Sequence, residues 1–218
     1  MNKTLINKTL ILFASSLFLS NGFSVVSIAD NTMDKKVTIS PSDISLEWKG
    51  EKVTGEHTGT VQLKSGEVSF NGTNLIGAKF DIDMSTIAVV DIKDPKYNKK
   101  LTDHLLSEDF FGVDKHKSAT ITVTKSTPVA DKDSVELSPG KKSNYNLDGV
   151  LKIKDIEHPI SFPALISVEN GVANAYSVVK VDRTKYNIKY GSGKFFDNLG
   201  DKLIYDIFTV SVNAKAKI

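Results

Sequence analysis

The chain has 218 residues with 28 Lys and Arg, 26 Asp and Glu, four His and no Cys. Lys3 and Lys8 are the only charges before Asp30, so the remainder carries 26 basic against 26 acidic side chains. A body near neutrality has no overall field to draw it onto nucleic acid or an anionic surface, and the absence of cysteine excludes disulfides, thiol catalysis and thiolate metal sites.

The first segment reads as a leader. After Lys3 and Lys8 comes the apolar run LILFASSLFL, Leu10 to Leu19, and then Ser27 and Ala29, small residues at the −3 and −1 positions of a cleavage site. Charged, apolar and small segments in that order are those of a secretory signal, here residues 1–29. An apolar run this short does not cross roughly 30 Å of hydrocarbon, and no cysteine stands ready for a lipid anchor. The expected product is periplasmic or secreted, without stable membrane insertion. Its 189 residues (218 less 29) suffice for one domain with a sizeable core.

Residues 30–36 are polar and are expected to be disordered; residues 37–218 form the predicted domain. Period-two alternation then dominates. Ile44, Leu46 and Trp48 share one face. Val61 with Leu63, and Val68 with Phe70, read as two strands joined across Ser65-Gly66. Ile76, Ala78, Phe80, Ile82 and Met84 alternate with polar Lys79, Asp81 and Asp83, and Asn71-Gly72 just before them is a turn signal. Asp94-Pro95 predicts a helix start, with Asp as N-cap and Pro in the first turn, and Leu101, Leu105 and Leu106 follow on a helical face.

Strands resume with Ile121 and Val123. A polar, turn-rich insertion spans 131–144. Leu147, Leu151 and Ile153 then face Ile160, Phe162, Ala164 and Ile166 across a turn placed at Asp155 to Pro159. A strand around 172–182, a loop and an alternating final strand complete the chain. About eight antiparallel strands with one short helix must stack or close to hide one apolar face each, and closure also removes exposed edges. The expected fold is all-β, an eight-stranded antiparallel barrel, closed or nearly so, with one or two short helices.

Chemistry is sparse in this sequence. His57, His104, His116 and His158 show no metal spacing, and no metal site is expected. No G-x-S-x-G occurs, and YGSGK at Tyr190 to Lys194 lacks both the upstream glycine and the trailing Ser or Thr of a phosphate loop. Asp81 and Asp83 sit on a solvated strand face. No catalytic residue, enzymatic activity or cofactor is expected. The apolar inventory is what remains: Phe80, Ile82, Met84, Ile121, Val123, Leu147, Leu151, Ile153, Ile160, Phe162 and Phe208 inside the barrel, with Leu105 and the pairs Phe110-Phe111 and Phe195-Phe196 on the helix and loops. An eight-stranded barrel is either filled by such side chains or holds one small ligand.

The segment DHLLSEDFFGV, Asp103 to Val113, resembles the D-x-H-L-x-S-x-D-F-F-D-V stretch of the YceI-like family. LDGVLKIKDIEHPISFP is similar to that family's G-x-L-T-I-x-G-x-T-x-P-V through Gly149, Leu151, Ile153 and Pro159. The chain departs from the pattern at Gly112, Lys117 and Asp155, all at turns. The resemblance implies a lipocalin-like barrel of an exported bacterial protein whose ligand is a long isoprenoid lipid, a polyprenyl phosphate or an isoprenoid quinone. Its role would be carriage, storage or stress response. Head-group contacts would fall to His57, Arg183 and Tyr190, and Phe110 and Phe111 would diverge, one at the barrel mouth and one against the wall. A homodimer through an outer strand face is compatible with such a barrel. Two other classes stand beside this reading: an enzyme acting on a lipid in the same cavity, and a solid-core stress or adhesion protein.

Overall fold

The computed structural model describes residues 34–218; the expected leader and residues 30–33 lie outside them. Eleven strands and one α-helix are present among the described residues. They are β1 (Asp34–Ile39), β2 (Ile44–Lys52), β3 (Gly55–Asn71), β4 (Asn74–Val89), α1 (Pro95–Leu106), β5 (Ser118–Pro128), β6 (Glu136–Ser138), β7 (Lys141–Lys142), β8 (Tyr145–Ile153), β9 (Ile156–Glu169), β10 (Val172–Asp182) and β11 (Ile207–Lys217). Eight of them, in the order β2-β3-β4-β5-β8-β9-β10-β11 and back to β2, pair antiparallel into the expected closed barrel. The 131–144 insertion holds the small β6–β7 hairpin.

β1 continues the line of β2 along β3: Leu46 to Lys52 pair with Gly55 to Val61, and Asp34 to Ile39 pair with Gly66 to Asn71. The lead-in expected to be disordered is therefore strand from Asp34 onward. The break between β1 and β2 follows from Pro41, which has no N–H to give to a ladder. A single 3₁₀ turn fills it, with Asp43 N–H donating to Ser40 O at 2.9 Å and Ser40 N–H donating to Asp43 Oδ2 at 3.2 Å.

Three local expectations are corrected. The chain does not turn at Ser65-Gly66; β3 runs straight through it. Leu63 faces inward, yet so do Gly66, Val68 and Phe70, and the change from odd to even positions comes from a bulge between Leu63 and Ser65. Gly66 is small because the Phe80 ring lies over it, 2.7 Å from where a Cβ would stand. The real turn is at Gly72-Thr73. A second irregularity, between Ser69 and Phe70, leaves Ile76 outside at 40% exposure and turns Leu75 inward. Finally, Pro159 lies within β9 opposite Val150. Lys154 and Asp155 both have positive φ, 51° and 60°, and make a two-residue turn of their own.

α1 begins where the sequence places it. Asp94 accepts from Lys96 N at 2.8 Å and from Tyr97 N at 3.2 Å, and Pro95 opens the first turn. The helix links β4 to β5 at one end of the barrel, called here the helix end. The β2–β3 and β8–β9 turns and the stretch 183–206 lie at that end too; the β3–β4 and β9–β10 turns and the β6–β7 hairpin lie at the other.

Arg183 locks the 183–206 stretch. Its guanidinium donates to four backbone carbonyls: Tyr205 at 3.2 Å, Ile188 at 3.0 Å, Tyr190 at 2.8 Å and Ile204 at 3.0 Å. The Asp206 carboxylate lies 3.5 Å away, an ion-pair distance rather than a hydrogen bond, and balances the charge. Four of its five N–H donors are thus spent on backbone carbonyls of its own loop, and the nitrogen with the fifth faces Asp206.

Two substitutions test these contacts by thermal melts. Gly59→Ala sets a Cβ 1.9 Å from the Ala88 carbonyl oxygen and 2.3 Å from the Trp48 ring. Overpacking of this kind is expected to cost about 1–3 kcal/mol or more. Arg183→Lys keeps the charge but loses the planar fork, leaving buried carbonyls unpaired, and should cost about 3 kcal/mol. Unchanged melting temperatures would show that neither contact matters to the barrel.

Candidate functional site

Inside the barrel is a cavity of about 260 Å³. It runs from Leu105, Phe110 and Phe111 at the helix end to Ile39, Phe70 and Ala216 at the far end. The interior is hollow rather than filled. Phe80, Ile82, Ile121 and Val212 line it and are only partly buried, because no side chain covers the surface they turn inward.

The hollow has a sequence cause. Beyond Phe208 at the helix end, the inward faces of β10 and β11 are small: Ala173, Ala175, Ser177 and Val179 on one, Val210, Val212, Ala214 and Ala216 on the other. Those of β4, β8 and β9 are larger, with Met84, Leu151 and Phe162 among them. Gly50 adds to the deficit on β2, since a Cβ there would meet nothing within 4 Å. Polar groups on this wall are few. Ser177 Oγ donates to Pro163 O at 2.8 Å. The Trp48 indole N–H is buried without an acceptor among the described residues.

Of the residues singled out from sequence, Phe80, Ile82, Met84, Leu105, Phe110, Phe111, Ile121, Leu151, Ile153 and Phe162 all border this cavity, as does Arg183. Phe110 and Phe111 do diverge. The Phe110 ring packs against His104 and Tyr190, with centroids 4.9 and 5.7 Å away, and the Phe111 ring stands edge-on to Phe208 at 6.2 Å. Both close the helix end. The helix-end backbone places them: Phe110 N–H donates to Ser107 O, and Phe111 N–H to Leu105 O.

Phe195, Phe196, His57 and Tyr190 are not on the cavity wall. Phe195 and Phe196 are 44% and 50% exposed, because their N–H groups close a tight turn on Ser192 O that points both rings outward. His57 is opposite Gly50 on β3, beyond the cavity toward the helix end, its Nδ1 2.8 Å from Asp91 Oδ2. Tyr190 is a surface ring behind Phe110, edge-on to His104 at 4.5 Å. Sequence reasoning missed the β2 and β10 walls and, apart from Phe208, that of β11. Their alternation was visible, but small side chains do not advertise a lining.

All four histidines sit at the helix end and fasten its connections. His116 Nδ1 is 2.7 Å from Asp155 Oδ2, His104 Nε2 is 3.5 Å from Asp109, and His158 Nε2–H donates to Lys185 O at 2.9 Å. Burial alone would raise the Asp91 carboxyl, but hydrogen bonds from His57 and Thr58 N–H outweigh it and hold the group below the ordinary carboxylate range. The His116 and Lys152 contacts do the same for Asp155. Burial, with Asp182 nearby, pushes the Tyr186 phenol up to about 12, so it stays neutral. Among the described residues no three His, Asp or Glu side chains gather as a metal site, and no helix is long and apolar enough to cross a membrane.

Solved structures share this architecture. BcnA of Burkholderia cenocepacia superposes with a TM-score of 0.59 at 17% identity, over 82% of this chain and 99% of that one. A polyisoprenoid-binding domain from Saccharophagus degradans, implicated in plant cell wall breakdown, gives 0.55 at 11% identity, over 84% and 99%. A Campylobacter jejuni YceI protein gives 0.50 at 11% identity, over 100% and 99%. No curated protein matches the chain. The sequence model of the YceI-like domain matches residues 36–216, spanning the barrel from β1 to β11, and the chain belongs to that family.

Proposed function

We propose that this protein is an exported binding protein that holds the tail of a long isoprenoid lipid, a polyprenyl phosphate or an isoprenoid quinone, inside its barrel. The cavity carries this reading: it is apolar along its length and left unfilled by the protein's own side chains. The Saccharophagus domain of the same fold, described as polyisoprenoid-binding, supports the ligand class, and the leader supports export.

The energetics fit a hydrocarbon guest. Such a chain offers no hydrogen bonds, so its affinity comes from area, at about 0.8 kcal/mol per buried CH₂. The walls supply that area without buried charges that would have to stay hydrated. The buried cation on the wall, Arg183, is satisfied by carbonyls and Asp206, and Lys215, the other cation bordering the cavity, is exposed. A polar head therefore stays outside while the tail fills the lumen, and tail length is set by the depth of the hollow. The protein acts as a carrier or store, and no step of bond chemistry is required of it.

Native mass spectrometry of protein purified without detergent, followed by organic extraction and lipid analysis, tests this directly. The expected result is a retained species of prenyl-lipid mass. Gly50→Leu projects a side chain into open lumen from a strand position with no backbone strain. It should reduce the retained lipid several-fold while shifting stability by no more than about 1 kcal/mol. A bare wild-type chain, or a variant that retains lipid undiminished, would sink the reading.

A further inference from the structure

The surface of the barrel is lopsided. Ten large apolar or aromatic side chains are exposed among the described residues, and only Ile76 and Val135 belong to the far end. The other eight belong to the helix end. Val53, Val90 and Tyr97 lie on the β2–β3 turn and the approach to α1, and Tyr190, Phe195, Phe196, Tyr205 and Ile207 on or beside the 183–206 stretch. These segments adjoin: Val53 N–H donates to Leu203 O, Tyr205 N–H donates to Glu51 O, and Tyr190 rests on His104 of α1. Isolated exposed apolar groups need no explanation, but a cluster confined to one end does.

The same two segments carry unpaired positive charge. Lys93, Lys96, Lys100, Lys185, Lys189 and Lys202 are exposed and form no ion pair among the described residues. Lys189 stands 5.0 Å over the Phe195 ring, so its stem covers apolar surface while its charge remains in water. Another stretch at this end, 107–117, holds Glu108, Asp109 and Asp114 but no exposed large apolar residue. Aromatics and unpaired lysines thus coincide. Of the carboxylates among them Asp91 is held by His57, Asp94 by the helix N-terminus, Asp103 by Lys99, Asp182 by Lys194 and Asp206 by Arg183, while Asp197 and Asp201 stand exposed beside the lysines.

We infer that the helix end is a docking face for an anionic lipid bilayer, with Phe195 and Phe196 entering the headgroup layer and the surrounding lysines meeting lipid phosphates. Side chains protruding from a turn, ringed by lysine stems, suit a soft interface into which rings can sink. The inference stands on surface residues alone and does not depend on what fills the lumen.

Sedimentation with vesicles tests it, using the protein as the cell processes it. With equimolar phosphatidylglycerol and phosphatidylcholine the wild type should co-sediment, and with phosphatidylcholine alone it should do so far less. The double variant F195S/F196S should bind the mixed vesicles about tenfold more weakly or worse. K185E/K189E should bind more weakly and lose most of its salt dependence. I76S/V135S, at the far end, should bind as the wild type does. Both phenylalanines are exposed, so the melting temperature of F195S/F196S should be unchanged, which separates docking from folding. Failure of the wild type to bind, or equal binding by F195S/F196S, overturns the proposal. So does a concentration-dependent dimer that F195S/F196S abolishes, since the patch would then belong to a second copy of the chain.

Discussion

Closure of one sheet on itself is the constraint from which the remaining features follow, and β3 is where it happens. Seventeen residues long, it pairs with β4 on one side from Gly59 to Asn71. On the other it is shared between β2 and β1, which meet at Pro41. Without that shared edge the final strand β11, joined to β2, would end a curved open sheet with exposed N–H and C=O groups. Closure fixes the diameter, and in a barrel of eight strands the diameter leaves an interior that side chains can either fill or leave open. The bulges at Lys64 and near Ile76 belong to the same requirement, since each re-aims the strand so that apolar side chains keep facing a wall that curves.

Whether the interior fills is then decided by side-chain volume. β10 and β11 are neighbours, and both turn small residues inward, so the missing volume is contiguous rather than scattered as several small voids. Scattered voids would be tolerated as packing defects; a continuous one of about 260 Å³ is a site. An empty apolar lumen forfeits dispersion contacts along its whole lining. A guest restores them, which gives the protein a reason to bind chains of little chemical distinctiveness.

The barrel, the helix and most of the lining were legible in the sequence because they rest on local rules: alternation, the Asp94-Pro95 start and the Asn71-Gly72 turn. What escaped was set by non-local geometry. Ser65-Gly66 looks like a turn when only neighbours in sequence are considered; its glycine is required by Phe80, fourteen positions away on the paired strand. Phe195-Phe196 looks like a repeat of Phe110-Phe111, but the two doublets leave their turns in opposite senses, one onto the cavity and one into solvent. Arg183 looks like an anion site until its carbonyl partners, as far along as Tyr205, are brought back to it. Charged residues are the hardest to assign from sequence, because their role depends on which distant groups already satisfy them.

The two ends of the barrel do different work, and the difference bears on how a guest would enter. At the far end Ile39, Phe70 and Leu75 are almost fully buried and close the lumen with a continuous sheet edge and tight turns. At the helix end the lumen is covered instead by side chains of α1 and its following turn, held by N–H groups donating to the Ser107 and Leu105 carbonyls and by single His–carboxylate contacts at the surface. Opening the far end means breaking ladder pairs cooperatively. Opening the helix end means moving Leu105, Phe110 and Phe111 with one helix, which is the smaller cost by the number of buried groups exposed. The end that opens at lower cost is also the end where aromatic side chains and unpaired lysines gather, so the entrance and the surface that would meet a lipid source coincide.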